Sequence, residues 1–420
     1  ISKPIKMKSH YNVLVIGAGT AGIMVAAQLK KKGISSIGII DPAKTHYYQP
    51  AWTLVGAGTY DFKKTARSMK SVIPKGVEWI QDYVEAMSPK KNELTTRQKN
   101  TYSYDYLVVA PGLVYNLSMV EGLEEALEKG IVCSNYIDPQ ETWKQVQNFT
   151  GGTALFTQPT TPIKCGGAPQ KIMYLAESHF KKMGVRDNSD VVFATNGGVI
   201  FGVKQVAETL MNVVNRKNIN LRFGHQLKKI DPVKKIAWYS LGDNHKEHNH
   251  ISIKTHEKDG LVGIEFDFLH TAPPSVAPAF LQNSDFANEG GWMKVDHKSM
   301  QSPDFKNVFG LGDVAALPTA KTGAAIRKQV PIVVDNILSL IKKDAIGTMA
   351  YNGYSSCPLV TDYGKMVLAE FDYDNNFVPD PKLKQMLIKD SSKEHWRLWI
   401  LKKYMLPYLY WNKMLKGKAV

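Results

Sequence analysis

"YNVLVIGAGTAG", Tyr11 to Gly22, decides the fold. The residues up to Ile16 form a continuous apolar run, as in a strand covered on both faces, and pass directly into Gly17, Gly19 and Gly22. Met24, Ala27 and Leu29 then recur with helical periodicity. A tight turn at Gly17, close approach of a pyrophosphate at Gly19 and helix-on-sheet contact at Gly22 each exclude a side chain; Thr20 belongs to the same turn. A diphosphate there would sit on a helix N-terminus, where free N–H groups and the dipole favour an anion. The next strand, "SIGIID", ends in Asp41, 24 residues after Gly17, where a carboxylate accepts ribose hydroxyls. Strand, glycine turn, helix, strand and acid at this spacing predict a Rossmann-like dinucleotide-binding unit.

The rest of the chain is ordinary in composition. Its 420 residues, 44% hydrophobic and 22% charged, suffice for two or three domains and exclude disorder and collagen. Three cysteines, Cys133, Cys165 and Cys357, cannot form a disulfide scaffold, so any importance they have is chemical. The net charge of +15 is scattered, without zinc-finger, RNP or basic-helix patterns; this argues against nucleic acid and suits an anionic lipid surface. No run approaches the ~20 apolar residues of a spanning helix, and no apolar signal core precedes the first strand. His245, His248 and His250 lie in a polar run that reads as a hairpin or solvent loop, and no metal site is expected.

Two later stretches specify the dinucleotide. "YDYLVVAPG" is a strand ending at Gly112, and "NVFGLGDVAALP" is a strand ending at Gly312 and Asp313. In this order after the glycine turn they resemble the FAD-binding signature of two-dinucleotide-domain flavoproteins, whose late aspartate holds the ribityl chain. Thr322 is placed to cap a helix opening with Gly323, Ala324 and Ala325. That helix end and Lys321 would present positive potential to a flavin's pyrimidine edge.

A second α/β unit follows, with "GGTALFTQP" and "DVVFATN" as strands around the helix "APQKIMYLAESHFKK". Its first turn, "QPTTPIKCGGAPQK", has no G-x-G-x-x-G to cradle a second pyrophosphate and carries Cys165 instead. A thiolate there is favoured by the helix start and by Lys164 and Lys171. Cys357 lies 192 residues on, so only the fold can join the two sulfurs as a redox pair. From His395 the chain carries six Lys or Arg and no acid, with Trp396, Trp399, Ile400 and Tyr404 at helical spacing. Pro407 is read as a break, after which Tyr408, Trp411 and Leu415 continue the stripe; such a tail suits a headgroup boundary.

These residues resemble the sulfide:quinone oxidoreductases, most specifically at "DPAKTHYYQPAWTLVGAG", "PIKCGGAPQKIMYLAE", "VFGLGDVAALPTAKTGAA" and "SSCPLV". The resemblance covers nearly the whole chain and is nearest to the mitochondrial type. It implies an α/β fold of two Rossmann-like, disulfide-reductase-like domains with a C-terminal amphipathic helical tail. Residues 10–145 and 300–380 would bind FAD, 146–299 would form the second domain, and 381–420 the membrane-association tail. Hydrogen sulfide would be oxidised through a Cys165–Cys357 centre and a persulfide, with two electrons passing through FAD to a membrane quinone. Sulfite, glutathione or another thiol would take the sulfur, and a homo-oligomer is compatible with the family. Location would be peripheral or monotopic, on a bacterial cytoplasmic or mitochondrial inner membrane.

The resemblance also carries Gln49, Val84 and Lys171 to the FAD site and Phe371 and Tyr408 to the quinone pocket. The ribose acid, commonly Glu in the family, is Asp41 here. Cys133 has a bacterial counterpart but is serine in mitochondrial-type enzymes, and reads as a third sulfur-handling residue, a flavin attachment point or a bystander. Three alternatives remain open: a type II NADH:quinone dehydrogenase, a flavoprotein subunit of a sulfide dehydrogenase, and a non-enzymatic flavoprotein related to apoptosis factors.

Overall fold

β1 (His10–Ile16) runs into α1 (Thr20–Lys31) as the opening stretch predicts, in a computed structural model that describes residues 9–419. Gly17 makes the turn at φ +97°, and a Cβ there would collide with the carbonyl of Ala110. β2 (Ile37–Ile40), β3 (Glu78–Ile80), β4 (Val84–Ser88), β5 (Glu93–Thr96) and β6 (Thr101–Val109) complete a sheet in the order β3-β2-β1-β6-β5-β4. β1 is parallel to β2 and β6, which brings Gly17, Asp41 and Gly112 to one edge of the sheet.

The second unit builds its own sheet. β7 (Gly152–Gln158), α2 (Ala168–Lys182), β8 (Ser189–Thr195), α3 (Lys204–Arg216) and β9 (Asn220–Asp231) alternate, followed by β10 (Ile236–His248), β11 (Thr255–Lys258), β12 (Leu261–Glu265) and β13 (Phe268–Thr271). The order is β11-β12-β10-β9-β8-β7-β13, with β7 parallel to both β8 and β13. His245 and His248 sit on the exposed end of β10 and His250 just beyond, bonded to Gly242, Asn215 and Glu247 respectively.

β14 (Val308–Gly310) then pairs in parallel with β6 in the first sheet. α4 (Gly323–Lys343) lies against α1, and Thr322 caps it by accepting from the Ala325 N–H at 3.1 Å. The antiparallel hairpin of β15 (Ser355–Asp362) and β16 (Lys365–Phe371) instead packs across α2. There Cys357, Leu359, Val367 and Ala369 join one core with Ile172 and Tyr174. The span 300–380 therefore divides its packing between the two halves of the molecule.

The tail contains α5 (Trp396–Ile400), a wide π turn at Leu401–Met405 and α6 (Leu406–Asn412). Pro407 does not break the run: it occupies the first turn of α6, where its missing N–H costs little. The extra residue of the π turn rotates α6 relative to α5. Trp411 and Leu415, read as continuing the exposed stripe, are buried with Tyr410 and Met414 in the core around α1. Trp396, Tyr404 and Tyr408 face outward, at 55%, 60% and 59% exposure. Among the described residues no helix is long and apolar enough to cross a membrane.

Candidate active site

A cavity of about 940 Å³ connects the edge of the first sheet to the start of α2 and to the tail. At one end Gly19, Gly112 and Gly323 border open space, since a Cβ on any of them would meet nothing within 4 Å. The first turn of α1 has no side-chain cap, so its N–H groups remain for an anion. Asp41 accepts from the Ala18 and Ala43 N–H groups at 2.7 and 2.8 Å, one per oxygen, which leaves a lone pair on each for a ribose. Burial raises the Asp41 pKa and those two N–H bonds partly restore it. Gly312 is fixed by its N–H to Gln329 at 2.9 Å, and Asp313 lines the cavity beside it. This cradle fits the pyrophosphate and ribose of a dinucleotide. Gly17 and Gly22 shape it from behind, while Thr20 and Gln49 line it.

Two half-buried cations flank the middle of the cavity. Lys321 donates to the Ala315 carbonyl at 3.1 Å and lies over the Trp292 ring; burial pulls it down to about 8, against the opposing pull of Asp313. Lys164 donates to Gln49 at 3.0 Å and is also lowered by burial. It is therefore turned away from the sulfur it was expected to support.

Cys165 stands between them at φ +51°, its N–H donating to the Lys321 carbonyl at 2.8 Å. Its Sγ lies 3.6 Å from the Sγ of Cys357, and both cysteines are free. α2 begins three residues later, at Ala168. Lys171, one turn into α2, brings its Nζ to 3.0 Å from the Cys165 sulfur. The Cys357 thiol hydrogen-bonded to Cys165, and then the Lys171 ammonium, hold Cys165 well below the usual thiol range despite burial. The same bond, with burial, pushes Cys357 up. Gly167 makes the approach possible: a Cβ there would stand 2.6 Å from the Cys357 sulfur.

The hairpin has two functional faces because side chains alternate along a strand. Cys357 and Ala369, directly paired, face α2. Ser356, Pro358, Leu368 and Glu370 line the cavity, whose far arm is closed by Leu383, Leu401, Leu406 and Leu409. Phe371 falls on the α2 face, edge-on to Phe201, and Tyr408 points outward, so neither expected quinone contact lines this arm. Val84 is buried in the core of the first sheet and does not reach the cavity. Cys133 is buried behind β13 with its thiol on the Leu269 carbonyl at 3.6 Å, and burial pushes its pKa up. It too is absent from the lining.

Two tail residues were missed in the sequence. Lys402, 3% exposed, donates to the Pro50 carbonyl at 2.7 Å and is drawn down to about 7 by burial, reinforced by repulsion from Lys171. Tyr410 bonds His46 Nε2 at 2.5 Å and Thr20 at 2.9 Å, tying the tail to the glycine turn, while His46 Nδ1 reaches the Ala18 carbonyl at 3.0 Å. Neither residue belongs to the aromatic stripe read from the sequence, and only the π turn would have revealed their direction.

Comparison with known proteins agrees with this geometry. Residues 11–152 match the family model for pyridine nucleotide-disulphide oxidoreductases. The chain is 40% identical over 413 residues to mouse mitochondrial sulfide:quinone oxidoreductase, covering 98% of this chain and 87% of that protein. It is 37% identical over 419 residues to the mitochondrial sulfide:quinone oxidoreductase of Dictyostelium discoideum, covering 98% and 88%. The crystal structure of the Aquifex aeolicus sulfide:quinone oxidoreductase superposes with a TM-score of 0.77 at 21% identity, over 98% of this chain and 92% of that one. With two sulfurs standing where a second nucleotide cradle is missing, the full-length likeness has its structural counterpart, and the chain belongs to the sulfide:quinone oxidoreductase family.

Proposed function

We propose that this protein oxidises hydrogen sulfide at the Cys165–Cys357 pair and passes two electrons through bound FAD to a membrane quinone. The observation that carries this reading is the 3.6 Å approach of the two sulfurs beside the dinucleotide cradle. The names of its relatives supply the substrate class. Residues 10–145 and 300–380 hold the FAD and 146–299 carry Cys165. Gly17, Gly19, Thr20 and Gly22 take the pyrophosphate, Asp41 the ribose, Gly312 and Asp313 the ribityl chain, and Gln49, Gly112 and Lys321 the surrounding wall.

In the oxidised enzyme the two sulfurs are joined, and hydrosulfide attacks by thiol–disulfide exchange. The sulfur whose thiolate is better stabilised leaves faster, and that is Cys165, held by Lys171. Cys357 then bears the persulfide, on the α2 face of its hairpin. The Cys165 thiolate lines the cavity in which the cofactor would be held. Bound FAD supplies a two-electron acceptor for that thiolate and a donor for the quinone. A sulfur acceptor such as sulfite, glutathione or another thiol attacks the outer persulfide sulfur, freeing the Cys357 thiolate, and loss of two electrons from the pair restores the disulfide.

The outward face of Trp396, Ile400, Tyr404 and Tyr408, beside Arg397 and Lys403, gives a peripheral membrane attachment at headgroup depth. Relatives named mitochondrial favour the inner mitochondrial membrane. An anaerobic titration tests the whole reading: sulfide bleaches the flavin, NADH does not, and a short-chain quinone restores the colour. Bleaching by NADH alone would refute it.

A further inference from the structure

The cavity face of the hairpin carries one acid. Glu370 pairs across the strands with Ser356 and shares their face with Pro358 and Leu368, in the arm closed by Leu383, Leu406 and Leu409. It is 2% exposed, and no ion pair is formed by it among the described residues. Its Oε1 accepts the Tyr354 hydroxyl at 2.5 Å and its Oε2 accepts the Asp380 N–H at 3.0 Å. Tyr354 in turn accepts from Arg327 Nη2 at 3.2 Å, and the Lys328 ammonium lies 5.4 Å over its ring. The Arg327 Nε is buried without a partner among the described residues. Asp380 stands half-exposed at the rim, accepting from the Lys382 N–H. A carboxyl so placed, almost fully buried and held by two neutral donors, is built to carry a proton.

We infer that Glu370 is the general acid that protonates the quinone as it is reduced, an assignment that rests on quinone being the electron acceptor. Forming a quinol takes two electrons and two protons. Bound FAD, once reduced, would supply the electrons and one proton as a hydride equivalent, and Glu370 gives the second proton to a quinone oxygen, becoming a carboxylate. It regains that proton from water at the Asp380 rim. Tyr354 is a positioning residue, fixing which oxygen of Glu370 faces the arm. Burial raises the Glu370 pKa, the Tyr354 and Asp380 bonds lower it, the Asp380 charge adds to the rise and Arg327 opposes it. The acid is therefore loaded above the ordinary carboxylate range, and its work is lost as pH climbs through that raised value.

The test uses the full-chain holoenzyme in anaerobic stopped flow. Glu370→Gln keeps an acceptor for either donor but has no proton to give. Its flavin should bleach with sulfide at the wild-type rate, and its reoxidation by a short-chain ubiquinone should be about 100-fold slower. The wild-type fall in reoxidation with rising pH should vanish. Reoxidation at the wild-type rate with the wild-type pH profile would overturn the assignment. Tyr354→Phe removes a bond that lowers the Glu370 pKa, so its reoxidation should hold to higher pH; an unmoved profile would also overturn it. If sulfide fails to bleach even the wild type, the sulfide reading has failed, and mixing dithionite-reduced enzyme with quinone still reads the role of Glu370 on its own.

Discussion

Gly167→Ala isolates the spacing of the two sulfurs. Gly167 sits at φ −84°, ψ −3°, which alanine adopts freely, so the substitution adds volume and no backbone strain. The new Cβ would stand 2.6 Å from the Cys357 sulfur and 2.5 Å from Leu359 Cδ2. Apolar contacts relax at about 3.5–4.0 Å, so β15 must retreat by about 1 Å. A retreat directed away from Cys165 would widen the 3.6 Å separation to about 4.6 Å, when a disulfide needs about 2.05 Å. Overpacking of this kind costs about 1–3 kcal/mol, and a 1 Å misplacement of reacting groups costs on the order of 100-fold in rate. Thiol titration in denaturant after aerobic exposure should count more free thiols in the variant, sulfide bleaching should slow, and Tm should fall. A variant that oxidises fully, bleaches at the wild-type rate and keeps its Tm would show that the glycine does not set this distance.

Cys165→Ser and Cys357→Ser should each abolish sulfide-dependent flavin bleaching while leaving FAD bound, and Cys133→Ser, away from the cavity, should bleach normally; a stopped-flow trace on each decides. Lys402 should tilt stability with pH. Its folded pKa is about 7, against an ordinary 10.5, so between those values the unfolded chain binds the extra proton and stability rises with pH. Denaturant unfolding from pH 6 to 10 should show that rise in the wild type and a flatter curve in Lys402→Met; parallel curves would contradict the depressed charge. Replacing Trp396, Tyr404 and Tyr408 together by Ser should abolish co-sedimentation with anionic vesicles at an unchanged Tm, because all three are exposed. Undiminished binding would place membrane attachment elsewhere.

The glycine turn, Asp41, Gly312 and the cap at Thr322 were legible in the sequence because each obeys a local rule: backbone clearance, strand-end position or helix capping. So was α2, whose limits match the predicted helix. The approach of Cys165 to Cys357 is non-local, and the missing second cradle hinted at it without placing it. Phe371 was carried to the quinone pocket by resemblance alone; alternation along the strand turns it to the α2 face and leaves its neighbour Glu370 facing the cavity. In the tail a constant helical period was assumed, so the π turn that buries Lys402 and Tyr410 and leaves Tyr408 outside was invisible.

The bonds from Tyr410 to Thr20 and His46 span 390 and 364 residues. A ribosome adds about 5–20 residues each second, so the first helix waits roughly 20–80 s for the segment that completes its packing. During that interval the glycine turn lacks the wall that Tyr410 supplies. That wall is therefore added only after both Cys165 and Cys357 have been synthesised.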